Sequence, residues 1–203
     1  MKIVSHLIFY ILPLSLLLCA GLCCPTDDPP ISVITIEQDN AIAILDNKTT
    51  FSLNDTLFVI TKIDNSQLTT TSQQVNITDY LEQQNEVPAL EYGLQLYKES
   101  SFGNDVKISV SNTNLIVKEG NINNIDDDDY TGITVRCPLI QDTFTNYFGI
   151  ILKEKGRFYL ANTNLEYDEK VVIYEGNSSK GYFIFSTTIT HDDENGKYIF
   201  TVE

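Results

Sequence analysis

Apolar positions along this chain fall in short runs, and several of the runs alternate with polar residues at period two. Leu90, Tyr92, Leu94 and Leu96 are separated by Glu91, Gly93 and Gln95, a spacing that puts the four large side chains on one face of a strand. Thr56–Ile63 is rich in branched and aromatic residues, the composition of a pleated, half-buried segment. Shorter runs of the same kind occupy Ile31–Ile36, Ala41–Leu45, Val106–Val110, Leu115–Val117, Thr131–Val135, Tyr147–Leu152, Arg157–Leu160, Val171–Tyr174, Tyr182–Ile189 and Lys197–Val202. Turn residues punctuate them. Ser111-Asn-Thr-Asn114 separates two runs, and Lys153-Glu-Lys-Gly156 predicts a hairpin joining Tyr147–Leu152 to Arg157–Leu160. Asn195-Gly196, a favoured pair for positive-φ turn positions, predicts a second hairpin joining Tyr182–Ile189 to Lys197–Val202. Only Asp79–Asn85 reads as a helical turn. About a dozen short strands with turn signals between them predict an all-β fold, an antiparallel β-sandwich of immunoglobulin-like or jelly-roll-like type. Strands and long helices do not alternate, which excludes a nucleotide-binding α/β fold. Asn112-Thr-Asn-Leu115 and Asn162-Thr-Asn-Leu165 echo one another, and the echo reads as shared turn chemistry; read as a duplication it would make two small β domains divided near residue 120.

The first 30 residues have a different pattern. Lys2 precedes an apolar run from Leu7 to Leu18, broken by Pro13, and small residues then lead to Cys23 and Cys24. This order of charge, apolar run and small residues is that of an export signal. Three fates compete: cleavage to a soluble secreted chain, retention as a membrane-spanning helix, and lipidation of a cysteine at the first mature position. Pro13 and the acidic, prolyl flank weigh against a spanning helix.

Leu18-Cys-Ala-Gly-Leu-Cys-Cys24, followed by Pro25-Thr-Asp-Asp28, resembles the loose lipobox and acidic post-cysteine segment of small exported lipoproteins from Bacteroidetes-type (flavobacterial) bacteria. The resemblance covers this segment and the Asn-, Ile-, Thr- and Asp-rich composition. It implies lipid attachment and residence at the outer membrane, on the cell surface or the periplasmic face, and no activity. The residue before a lipidated cysteine is small, so Cys24, preceded by Cys23, is favoured over Cys23, preceded by Leu22. The expected organisation is a signal over 1–23, a lipidated cysteine and Pro/Asp tether over 24–30, and a β-sandwich over 31–203. Two or three acyl chains would hold the protein stably, where one binds marginally.

Composition narrows the function. The formal charge is −15, and loss of Lys2 with the signal makes it more negative, so nucleic acid is excluded as a partner for want of a cationic face. Arg136 and Arg157, the two arginines, lie in separate segments. Beyond the N-terminal cysteines only Cys137 remains, and it reads as a small buried strand residue. Apart from His6 in the signal, the one histidine is His191, which excludes multi-histidine zinc sites and leaves a Ser-His-Asp hydrolase without a recognisable nucleophile elbow. Asp126, Asp127, Asp128 and Asp129 offer hard oxygen ligands that suit Ca2+. Counted from Asp127, however, Gly132 falls correctly at the sixth position of a calcium loop while Pro138 stands where a glutamate is required. The run therefore reads as a solvated loop, and His191-Asp-Asp-Glu194 as a hairpin tip. Tryptophan is absent, which weakens a carboxylate-pair glycosidase, since sugars commonly stack on it. Asn47, Asn54, Asn76 and Asn177 each head an N-x-S/T sequon. The functional expectation is a non-enzymatic binding or structural module of the cell envelope, with no cofactor and with an envelope protein or a glycan as partner. The alternative is an extracellular carbohydrate-active enzyme or a sugar-binding accessory lipoprotein.

Overall fold

Branched and aromatic side chains at alternate positions build strands throughout the described part of the chain. The computed structural model describes residues 32–81, 87–100, 105–127, 130–163, 169–178 and 180–203, with the side chains of 124–127 and 130 outside that description. In chain order the strands are β1 (Val33–Ile44), β2 (Thr50–Phe51), β3 (Thr56–Asp64), β4 (Ser66–Leu68), β5 (Gln74–Asn76), β6 (Ala89–Lys98), β7 (Val106–Ile108) and β8 (Leu115–Glu119). They continue with β9 (Asn121–Asp127), β10 (Tyr130–Ile140), β11 (Thr143–Ile151), β12 (Gly156–Asn162), β13 (Val171–Ser178), β14 (Gly181–Ile189) and β15 (Tyr198–Val202). The helical elements among the described residues are three short 3-10 turns at Leu45–Asn47, Ile77–Asp79 and Asn112–Asn114. The all-β class expected from the alternation is what forms.

Thirteen strands join in one curled sheet of order β13-β14-β1-β3-β11-β10-β6-β12-β15-β2, with β7 on β6, β8 on β11 and β9 on β10, while β4 and β5 pair separately. The curl originates at the β10–β11 hairpin. Gln141 and Asp142 turn it with φ of 49° and 67°, the backbone of a primed hairpin turn. The two strands pair only at Leu139↔Phe144 and Ile140↔Thr143. Beyond that β11 runs with β3 and β10 runs with β6, so the sheet opens into two halves. Ile36, Leu57, Phe148, Phe183 and Phe185 from one half meet Leu90, Leu94, Val135, Phe158 and Phe200 from the other in one core, and β13 lies across β6. On β6 the four alternating residues Leu90, Tyr92, Leu94 and Leu96 are all buried, as predicted.

Four expectations are corrected. The sheet is mixed, because β1 runs parallel to β14 and β2 parallel to β15. Neither predicted hairpin forms: β12 pairs with β6 and β15, not with β11, and β15 pairs with β12 and β2, not with β14. Gly196 takes the expected positive φ, 70°, while Asn195 does not, and each turn carries the chain across the core to the other half of the sheet. The runs Ile31–Ile36 and Ala41–Leu45, expected as separate, are joined from Val33 to Ile44 in β1 through an irregularity between Gln38 and Ile42, Ile31 lying outside the described residues. There Thr187 Oγ1 accepts from Ala41 N at 3.0 Å and donates to Gln38 O at 2.5 Å, replacing the lost ladder bonds. Finally, the helical turn expected over Asp79–Asn85 appears as the 3-10 turn ending at Asp79; 82–86 lie outside the described residues.

Candidate functional site

Cys23, Cys24, Asp128 and Asp129 lie outside the described residues. Asp126 and Asp127, read from sequence as part of a loop, instead end β9, in register with Thr131 and Tyr130 of β10. Aspartate disfavours strands, and the pairing with β10 overrides that preference. Among the described residues no group of three or more His, Cys, Asp or Glu side chains is placed to hold a metal ion.

Cys137 faces the core from β10, and burial pushes its thiol up to about 12, which keeps it protonated and without nucleophilic character. His191 is exposed, at φ 60°. Asp193 beside it serves the turn: its Oδ1 accepts from Asn195 N and Lys197 N, both at 2.9 Å. Burial raises the carboxyl of Asp192 above its ordinary value, with Asp193 and Asp39 adding to the effect. The four sequon asparagines are all exposed, Asn47 and Asn54 at φ of 49° and 74°.

A polar concavity lies beside the Ser-, Gln- and Thr-rich segment between Ser66 and Asn76. Asn65 N donates to Asp142 O at 2.9 Å, and Asn65 Nδ2 donates to Asp142 Oδ1 at 2.9 Å. Asn65 Oδ1 and O in turn accept from Thr78 N and Ile77 N. That one buried asparagine ties both ends of the β4–β5 excursion to the β10–β11 turn. Thr69 Oγ1 accepts from Gln73 N at 3.0 Å and, with Ser72 at φ 63°, closes the β4–β5 turn.

Beside this excursion is an open recess of about 520 Å³. Gln73, Gln74, Asn76 and Ser66, residues with amide and hydroxyl side chains, are among those that line it. Gln74 Nε2 donates to Ser66 Oγ at 2.8 Å. On the opposite side Lys180 Nζ meets Asp79 Oδ2 at 2.7 Å and lies 5.6 Å from the centre of the Tyr80 ring. Tyr80 stacks in turn on Phe183 at 4.8 Å, which fixes the ring to the core. The surface therefore presents several neutral hydrogen-bonding groups around one solvated ion pair. No known protein family, curated protein or solved structure matches the chain. The only legible signal for this recess was the density of amide and hydroxyl side chains between Ser66 and Asn76.

A second open recess, of about 480 Å³, mixes apolar Val87, Val117 and Ile122 with Asn121, Asn123 and Arg136. Arg136 pairs there with Glu91 at 3.1 Å.

Proposed function

We propose that the chain is a lipid-anchored protein of the cell envelope, held at the outer membrane through Cys24 and displaying its β domain as a non-enzymatic binding or structural module. The observation that favours binding is the amide-rich recess formed by the β4–β5 excursion. Side-chain amides that both donate and accept, gathered on a strand pair held in place by Asn65, suit a polar partner that is itself rich in donors and acceptors. An envelope protein or a glycan has that chemistry. The buried, protonated Cys137 and the turn-bound Asp193 beside His191 support the non-enzymatic reading, since each of these groups has a structural partner or setting.

A sugar-binding accessory lipoprotein is the second reading, and the combination of Gln73, Gln74, Asn76 and Tyr80 in one recess favours it. Palmitate labelling tests the anchor. Cys24→Ala is expected to abolish labelling and release the protein to the soluble fraction, whereas labelling lost only on Cys23→Ala would move the anchor, and no labelling of the unaltered chain would remove it. A glycan array probed with the unaltered protein and with Gln74→Ala separates a glycan partner from an envelope-protein partner. Signals that disappear in the variant favour the glycan; a blank array leaves the protein partner.

A further inference from the structure

A third concavity is of a different kind from the two polar recesses. A cleft of about 100 Å³ is lined by residues of β6, β7, β11 and β12 and the segments beside them, with Leu96, Val110, Ile150, Leu152 and Phe158 as its floor and Ile108 at its side. The five floor residues are buried, and they come from both halves of the curled sheet. The floor itself offers water few polar partners, and an enclosed apolar cavity of about 150 Å³ admits benzene; here Ser109 and Asn114 add polar groups to the lining of an open cleft. The smaller volume here suits a branched aliphatic group.

The mouth of the cleft carries charge. Lys153 and Glu154 both border it. Glu154 is neutralised by Lys98 Nζ at 2.8 Å. Asp55, in the adjoining turn, is engaged by Lys48 at 2.9 Å and by Ser52 N. Lys153 Nζ instead donates to the neutral Asn54 Oδ1 at 3.1 Å, and among the described residues it forms no ion pair. Asn54 is itself placed for this contact: its N–H bonds Leu152 O at 2.8 Å, at the strand end that leads into Lys153. In a chain of net charge −15, an uncompensated ammonium at the rim of an apolar cleft is complementary to one anionic group attached to a hydrocarbon.

From this juxtaposition we infer that the cleft is a binding site for a short, branched aliphatic carboxylic acid, the alkyl group seated against Val110, Ile150 and Phe158 and the carboxylate facing Lys153. Every residue invoked lies within Ser32–Glu203, so the inference stands apart from the anchor and from the polar recess.

The test titrates 4-methylpentanoate, and separately the neutral 4-methylpentan-1-ol, into the full chain in lipid nanodiscs, reading the methyl NMR signals of Leu96, Val110, Ile150 and Leu152. The acid should move these signals saturably. Val110→Phe, which fills the floor, should abolish the shifts. Ile108→Phe, which narrows the half-exposed side and leaves the buried floor intact, should weaken them even if Val110→Phe fails to fold. Lys153→Gln should weaken the acid about three- to fivefold, the scale of one solvent-exposed ion pair, and leave the alcohol unchanged. Absence of saturable shifts, or shifts unaltered in a folded Ile108→Phe protein, would overturn the site. Equal binding of acid and alcohol, both indifferent to Lys153→Gln, would overturn the carboxylate assignment.

Discussion

Asn146 and Gly120 lock together at the point where the curled sheet opens. Asn146 Nδ2 donates to Asn121 O at 3.1 Å and to Arg136 O at 2.8 Å. A Cβ built on Gly120 would collide with that same nitrogen. Gly120 links β8, on the edge of β11, to β9, on the edge of β10, so this contact pins the chain reversal between the two halves. Gly120 also has φ 77°, a conformation that residues with a side chain adopt at a cost.

Gly120→Ala should therefore destabilise the protein by about 2 kcal/mol or more, combining backbone strain with displacement of the Asn146 amide. Urea unfolding followed by far-UV circular dichroism reads this directly. A variant with an unchanged midpoint would show that the reversal is not constrained as described.

The Thr187 hydroxyl holds the irregularity in β1 through Ala41 N and Gln38 O. Thr187→Val keeps the shape and leaves both backbone groups in a poorly solvated place without a partner. A loss of about 2–3 kcal/mol is expected, whereas Thr188→Val, at a less buried position bonded to Asn40 N, should cost less. Equal losses in the two variants would contradict the assignment.

Thr61 and Tyr92 share a hydrogen bond between hydroxyls inside the core, one from each half of the sheet. Tyr92→Phe leaves the Thr61 hydroxyl buried and unpaired and should cost about 1–3 kcal/mol. The double variant Thr61→Val, Tyr92→Phe should recover part of that loss, because both polar groups are then gone. A double-mutant cycle measures the recovery, and strict additivity would argue against a coupled pair.

Alkaline pH should destabilise the fold through two buried acids. Cys137 keeps its proton up to about pH 12 in the folded chain, against an ordinary thiol value of 9.0. Burial likewise pushes the Tyr92 phenol well above its ordinary value of 10.0. In each case the unfolded chain releases its proton first, so the folded state binds more protons and stability falls as pH rises above about 9. The slope is at most about 1.4 kcal/mol per pH unit for each group. Urea midpoints at successive pH values check this. Cys137→Ala should be less stable at neutral pH, for its cavity, yet flatter between about pH 9 and about pH 12, where the unfolded thiol has lost its proton and the folded one keeps it; an identical slope would show that Cys137 contributes nothing to the pH dependence.

Much of the strand content was legible because alternation is a local property. Leu90, Tyr92, Leu94 and Leu96 share a face wherever β6 is placed, and Leu57, Val59 and Ile63 on β3 do so as well. The buried state of Cys137 followed from the usual burial of a free cysteine on a strand. β9 was not legible, because Asn and Asp depress strand propensity and its backbone is held by β10. The amide-rich recess was hidden for a related reason: β4 and β5 are too short to announce themselves, and Asn65, anchored on the distant Asp142, is what holds them in place.

The order of residues by itself determined the strand class, the positions of most strands, the positive-φ turn at Gly196, and a surface dominated by carboxylates. Each is decided within a few residues, by side-chain period, by φ preference or by charge. Which strands pair was decided only in three dimensions. Lys153–Gly156 and Asn195-Gly196 carry good hairpin chemistry, yet both lead across the core, because burying Phe148 and Phe185 against Phe158 and Phe200 requires their strands to lie in opposite halves. A turn acts on the few residues it joins, whereas burial of the aromatic core is shared among many strands, and that burial set the topology.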